Sequence, residues 1–471
     1  MTLVKPSAAK SAASTAGRPG PVRGRARVLA GISLGYFMVL LDMTVLSVAE
    51  PDLASSLHAS MAGLQWVTTG YTVTFAALLL SAGAAADRFG AERLFRGGIV
   101  VFTLASLLSA FAPAPWVLVL LRAILGMGAA ACVPASMAMI TQLYSEPTAR
   151  ARAVSAWAAI SGAAVAVGPI AGGALVNLAG WRSVFLINVP LGLGVLALTL
   201  GQAVACPRSD RRIDWPAQLA AAAVLALFTD ALIAAGAQAW AHTVCSLVGL
   251  AASGLAFWGL EQRSQAPVVN QALLRAGRVR AGLLAAAAVN FALTGGLFVL
   301  PLLLQQQRHL DPLQTGLAFL PLTVPFAAAP PVTGKIVARV GPRRPILAGL
   351  GLLAAGGVVL GGAVFADAGY LWLAVGLLMT GFGVSFALPA LVIAIVSLAP
   401  TGTAGAVGGL LNAVRQVGAT LGVAVMGAAV AAGTGWALLL SAAVCAIAWP
   451  VFASARDNAR RNHDLSVKTD Q

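Results

Sequence analysis

Two ionisable side chains stand inside runs of apolar residues that would keep them from water. Asp42 lies in YFMVLLDMTVLSVAEP and Arg122 in VLVLLRAILGMG. A charged group in hydrocarbon costs about 3 kcal/mol at the middle of a membrane helix, so it pairs, faces water or, if acidic, takes up a proton. Asp42 could therefore exchange protons and alternate between charged and neutral forms. Its other reading is structural, as a cap on a neighbouring helix or the partner of an arginine. Arg122 stays charged inside a protein, so it can hold water or act on a nearby carboxylate but cannot carry the proton itself. The alternative for Arg122 is a tether to backbone carbonyls.

Glu50, Asp230 and Arg415 are further ionisable residues in apolar runs, able to serve protons or substrate. Glu50 is expected near the outer end of its segment, within reach of water, and structural or interfacial roles are favoured for it and for Asp230. A cation would be drawn to Asp42, Glu50 or Asp230 in low-dielectric surroundings. Gln65, Trp66, Tyr71, Asn290, Phe291 and Gln305 are candidate cavity-wall residues together with Glu50, because ligand sites are mostly apolar with a few polar handles.

Other chemistries find no support. Cys132, Cys206, Cys245 and Cys445 are far apart with no CxxC pair, and His58, His242, His309 and His463 are scattered, so no metal site or disulfide framework is expected. There is no phosphate-binding G-x-x-x-x-G-K-[ST] loop, and Gly126-Met-Gly128 sits in an apolar run with no preceding strand. No catalytic triad or paired carboxylates suggest an enzyme. An ion gradient, with no cofactor, is the expected energy source.

The elements that must position these residues follow from composition. Of 471 residues, 59% are hydrophobic and 10% charged, and the mean hydropathy is +0.88. A water-soluble fold is excluded. A membrane-crossing helix takes about 20 residues, and fourteen apolar segments can be traced. They lie near 28–50, 63–83, 97–112, 116–143, 153–178, 183–205, 215–236, 241–260, 281–305, 313–337, 345–366, 370–398, 403–430 and 433–454. The runs lack two-residue alternation, so helices are expected and a barrel is not.

The net charge of +15 is explained by orientation. With both tails in the cytosol, nearly all Lys and Arg fall in inward loops; Arg182 and Arg308 lie outside, and Arg122 and Arg415 in the membrane. That asymmetry obeys the positive-inside rule. The short basic loops offer no aromatic platforms for nucleic acid.

An internal repeat divides the chain. Gly83, Arg88, Gly90 and Arg93 in GAAADRFGAER recur at the same spacing as Gly334, Arg339, Gly341 and Arg344 in GKIVARVGPRR. Gly126, Gly128 and Pro134 likewise recur as Gly381, Gly383 and Pro389. The expected fold is an all-α integral membrane protein: a basic cytosolic tail (1–27), a six-helix bundle (28–205), an inserted helix pair (206–262), a second six-helix bundle (263–455) and a cytosolic tail (456–471). Two similar bundles with a site at their junction suit a rocking transporter.

Several segments, in order, resemble the fourteen-helix drug:proton antiporter branch of the major facilitator superfamily, over about residues 28–455. They are LDMTVLSVAEP (41–51), GAAADRFGAER (83–93), LVLLRAILGMGAAA (118–131), VGPIAGG (167–173) and WRSVFLINVPLG (181–192). The sequence departs from the family pattern at Ala164, Leu125, Ser47 and Glu50. The resemblance implies proton coupling through Asp42 with Arg122 in the relay, a cytosolic gate at Gly83, Asp87, Arg88, Gly90 and Arg93, and an antiporter motif at Gly168, Pro169, Gly172 and Gly173. In the second half Ala338 replaces Asp87, so the gate would be asymmetric. The implied protein is a monomer in a bacterial cytoplasmic membrane, exporting lipophilic, cationic drugs or antibiotics against protons. Proton-coupled nutrient uptake, or a membrane sensor or enzyme, is the alternative.

Overall fold

A computed structural model describes residues 22–201, 214–263, 276–398 and 404–455. The basic tail before residue 22, Cys206, the tail from 456 and His463 fall outside the described residues. Helices are the only regular structure among the described residues, as expected where backbone amides must bond within their own segment.

The first half contains α1 (Val22–Ser56), α2 (Met61–Phe89), α3 (Ala91–Ser109), α4 (Pro115–Leu143), α5 (Pro147–Ala179), α6 (Ser183–Leu186) and α7 (Asn188–Thr199). A hairpin follows, α8 (Trp215–Gly236) and α9 (Trp240–Arg263). The second half opens with α10 (Gly277–Leu302), extended by a π-turn (Leu303–Gln307). Next come α11 (Pro312–Ala318), α12 (Leu320–Ala328), α13 (Pro330–Val340), α14 (Arg343–Phe365), α15 (Tyr370–Val396), α16 (Ala404–Ala429) and α17 (Thr434–Ser454).

Ten of these helices are long and apolar enough to cross a membrane, or eleven if α2, bent by 59° near its end, counts as one crossing. The expected count of fourteen is therefore met only in part by length and composition. The remaining segments are shorter or broken. The single helix expected at 313–337 is instead the three pieces α11 to α13, in a stretch that carries Pro321, Pro325 and Pro330. Each proline withholds an amide and clashes with the preceding turn. The segment expected at 183–205 breaks at Ile187 and ends at Thr199, and the helix expected at 97–112 is shifted to 91–109.

The two halves pack by the same plan. In the first, α1 lies on α5, α2 on α4, and α3 on α4 and α7; in the second, α10 lies on α16, α12 and α13 on α15, and α14 on α15 and α17. Close approach in the equivalent pairs α1–α5 and α10–α16 depends on glycine. A Cβ at Gly168 or Gly172 would collide with Thr44 or Val45, and one at Gly418 or Gly422 with the backbone at Ala287 or Phe291. The halves meet along two seams, α2 against α16, and α5 against α11 and α12. In the hairpin, α8 packs on both α2 and α16 and so flanks the first seam.

Both short loops of the repeated motif turn on a glycine. Gly90 (φ 94°) joins α2 to α3, and Gly341 (φ 77°) closes α13 ahead of α14, a backbone region that other residues enter only with strain. The same end of the molecule carries Arg88, Arg93, Arg339 and Arg343, and is called the basic end below.

Candidate functional site

Asp42 and Arg122, far apart in sequence, meet in the middle of the first bundle. Helix α1 presents the carboxylate and α4 the guanidinium, and Arg122 Nη1 donates to Asp42 Oδ2 in an ion pair only 2% exposed on each side. A second donor completes the acid: Asn188 Nδ2, at the start of α7, lies 3.0 Å from Asp42 Oδ1 and also 3.0 Å from Ser106 Oγ on α3. Arg122 is held independently of Asp42. Its Nε donates to the Val67 carbonyl at 3.1 Å, and its guanidinium lies 4.6 Å from the centre of the Tyr71 ring, both on α2. A buried charge pair is tolerated when further contacts support it, and here the Asn188 amide, the Val67 carbonyl and the Tyr71 ring do so.

This network joins α1, α2, α3, α4 and α7 through one acid. The pairing read as the structural alternative for Asp42 is thus present, and it brings together the two residues expected to act on protons. Sequence reading missed Asn188 and Ser106. Asn188 stood inside the quoted motif WRSVFLINVPLG, but as a neutral residue it gave no signal of its own.

The expected cavity-wall residues do not gather into one pocket. Gln65 Nε2 donates to the Val423 and Ala424 carbonyls of α16 at 3.1 and 2.9 Å, and Gln305 Nε2 donates to the Val48 carbonyl of α1 at 2.9 Å. Each amide bridges the two bundles. Tyr71 is buried beneath Arg122, Asn290 donates within its own helix to Ala286, Phe291 packs on Gly422, and Trp66 is half-buried. An apolar groove of about 670 Å³ between α12 and α15, lined by Leu320, Val324, Leu371 and Phe382 among others, includes none of them.

Glu50 also departs from expectation. It is 1% exposed, not open to water at the outer end of α1; Thr68 donates to its Oε1 at 2.8 Å, and Oε2 has no partner. Asp230 faces His242 at 2.8 Å and accepts from Ser246 at 2.5 Å, so it ties α8 to α9. Arg415 on α16 donates to Asn412 on the same helix at 3.0 Å.

Several bridges between the bundles lie away from the basic end. Besides Gln65 and Gln305, Thr72 and Thr420 share a hydrogen bond of 2.8 Å, a Cβ at Gly173 would meet the Pro312 backbone, and one at Gly316 would meet that of Pro169. The glycine motif of α5 therefore acts in packing: Gly168 and Gly172 admit α1, and Gly173 admits α11 across the seam. Pro169 lies within the same continuous helix. In the gate loop, Gly83 is open on its Cβ side, Asp87 is half-buried, and Arg88 and Arg93 are exposed, Arg88 lying 5.6 Å from the centre of the Phe89 ring. Nearby, Glu92 pairs with Arg96 at 2.6 Å, and Arg96 donates to the end of α7 at Thr199.

Two similarly packed helical bundles that meet along paired seams, the first enclosing a buried ion pair, define a multi-pass membrane transporter. The chain belongs to the Major Facilitator Superfamily, whose sequence model matches residues 32–422 and 281–470. It is 34% identical over 408 residues to the multidrug resistance protein Stp of Mycobacterium tuberculosis, covering 86% of this chain and 75% of that one. Identity is also 34% over 430 residues with the methylenomycin A resistance protein of Bacillus subtilis, with 89% and 92% coverage. The tetracenomycin C resistance and export protein of Streptomyces glaucescens is 33% identical over 427 residues, with 89% and 77% coverage. In fold the chain is similar to a bacterial homologue of the lysosomal transporter Spinster, solved inward-facing and unoccupied, with a TM-score of 0.68, 18% identity, and coverage of 93% and 98%.

Proposed function

We propose that this chain exports lipophilic drugs or antibiotics by alternating access, driven by protons that neutralise Asp42. The observation that carries this reading is the Asp42–Arg122 pair, buried inside a bundle that must move. Arg122 has the Val67 carbonyl and the Tyr71 ring as partners besides Asp42. Protonation would therefore weaken the hold of α2 and α4 on α1 while leaving Arg122 in place. Helix α1 also carries Val45, packed on Gly172, and Val48, bridged to Gln305. A shift of α1 would thus reach the closed end of the seams. Each proton entering gains about 2.3 kcal/mol per 100 mV of membrane potential.

The resistance proteins among the relatives favour export over nutrient uptake, and the transporter fold weighs against an enzyme or sensor. Counting α2, α3, α6 with α7, and α11 to α13 as one crossing each brings the total to fourteen. The bundles at 28–205 and 263–455 would then flank the inserted pair at 206–262. The basic end is assigned to the cytosol of a bacterium, with both termini, by the positive-inside rule, and the working unit is a monomer. The basis for a cationic cargo is weaker than the sequence implied: Asp42 is paired with Arg122, Asp230 with His242, and Glu50 is enclosed.

The test is uptake of a fluorescent lipophilic drug into inside-out proteoliposomes under an imposed pH difference. Accumulation by wild type that vanishes in Asp42→Asn, with the variant folded and inserted, supports the reading. Drug movement indifferent to the pH difference overturns it.

A further inference from the structure

A second cation inside an apolar helix lies without the partners that satisfy Arg122. Arg415 on α16 is half-buried, and its one recorded hydrogen bond goes to Asn412 on its own helix. Its Nε is sealed from solvent and donates to nothing, and among the described residues no Asp or Glu pairs with it. Across the junction, Tyr36 of α1 is close enough to interact with it electrostatically. Tyr36 in turn stacks on Trp157 of α5, with ring centres 4.6 Å apart and planes within 10°. Trp157 Nε1 and Gln416 Oε1 are likewise buried without partners.

A guanidinium at membrane depth is costly unless an acceptor meets it. Packing does not explain this one. Gly418 and Gly422 do for α16 what Gly168 and Gly172 do for α5, and in that correspondence Arg415 falls on Val165, a buried aliphatic residue. The fold tolerates an apolar side chain there. What stands at Arg415 is a charge on one bundle within electrostatic reach of Tyr36 on the other, whose stacking partner Trp157 leaves an indole N–H unused.

We propose that Arg415, Tyr36 and Trp157 form a binding site for lipophilic aromatic anions, such as carboxylates, sulfonates or acidic phenols. The guanidinium meets the oxyanion, the Trp157 N–H is a second donor, and the ring system lies against the aromatic pair. This names the cargo class and rests on the exporter reading for its role in transport, although binding itself needs no gradient. Both bundles contribute groups, so the site is complete only when they are opposed and is taken apart as they rock. With an interior negative potential, the outward step of an anion and the inward step of a proton are both driven by the field.

The test is equilibrium binding to the purified full-length protein in lipid nanodiscs, without any gradient, using a naphthalenesulfonate and the naphthyltrimethylammonium of the same ring system. Saturable binding of the sulfonate about tenfold or more tighter than the ammonium is expected. Arg415→Gln should abolish that preference, Arg415→Lys should keep part of it, and Trp157→Phe should weaken the sulfonate while preserving the stack. Equal or tighter binding of the ammonium overturns the proposal, as does an unchanged preference in folded Arg415→Gln. If Arg415→Gln does not fold, Arg415→Lys and Trp157→Phe decide: sulfonate affinity unchanged in both overturns it. Loss of pH-driven transport in Asp42→Asn bears on the exporter reading alone and leaves this binding result as it stands.

Discussion

Asn188 Nδ2 lies 3.0 Å from Asp42 Oδ1, so the acid on α1 is held from two sides, by α4 through Arg122 and by α7 through this amide. Asn188 also donates to Ser106, which fixes the plane of the amide before it meets the acid. A hydrogen bond to a charged group contributes about 1.5–3 kcal/mol. Asn188→Ala should therefore destabilise the protein by about 2 kcal/mol and lower proton-driven drug uptake in proteoliposomes, though less than Asp42→Asn does. A melting temperature and flux equal to wild type would mean that the second donor is dispensable.

Gln65 joins the bundles at the end opposite the basic loops, through two carbonyls of α16. Gln65→Leu removes both bonds, about 1 kcal/mol each, which is roughly a thirtyfold shift toward separation at that end. A cysteine introduced at Thr420, which touches Thr72 in the closed seam, reports it once the native cysteines, of which Cys245 is exposed, are replaced by serine. Its labelling by a water-soluble maleimide should speed up in the Gln65→Leu background. An unchanged rate would remove Gln65 from the closure.

What the sequence disclosed, and what it hid, follows from how each residue bonds. Asp42 and Arg122 were conspicuous because charge in an apolar run is expensive whatever surrounds it. Asn188 and Ser106 cost little alone and matter only through their partners, which spacing does not reveal. Gln65 and Gln305 read as polar handles of a cavity, but an amide can line a cavity or bridge two backbones, and only the packed seam decides. The repeat of Gly83 to Arg93 was plain in the letters. The equivalence of Gly168 and Gly172 with Gly418 and Gly422 was not, since the second pair lacks the proline and the double glycine; it emerged from the shared close approach to α1 and α10. The break of 313–337 into three helices was written in its prolines, yet prolines are common enough in membrane helices that their presence alone does not predict one.

Glu146 caps α5 at the basic end, accepting from Thr148 N at 3.0 Å and Ala149 N at 2.9 Å. Hydrogen bonding at Thr148, then at Ala149, holds its carboxyl below the usual glutamate range. A depressed folded pKa stabilises the folded form above the unfolded value, near 4.5, and that contribution is lost as pH falls through the folded value. Glu146→Gln should therefore fray the first turn of α5 at neutral pH, seen as faster amide exchange at Thr148 and Ala149. The difference between variant and wild type should shrink on acidification below the glutamate range; a difference constant across that interval would rule out the charged cap.

Gly168 and Gly173 sit five residues apart on α5 and face different bundles, so the same substitution should fail in different ways. A side chain at Gly168 would collide with Thr44 inside the first bundle, whereas one at Gly173 would collide with the Pro312 backbone across the seam. Overpacking typically costs about 1–3 kcal/mol. For Gly168→Val the cost has no escape, because α1 and α5 remain neighbours however the bundles rock, and the melting temperature should fall. For Gly173→Val the bundles can relieve it by parting at the end away from the basic loops. That variant should keep nearly wild-type thermal stability, label readily with a water-soluble maleimide at a cysteine placed at Thr420, and lose drug accumulation because the seam no longer closes. Equal loss of stability in the two variants would mean that Gly173 serves the interior of its own bundle instead of the junction.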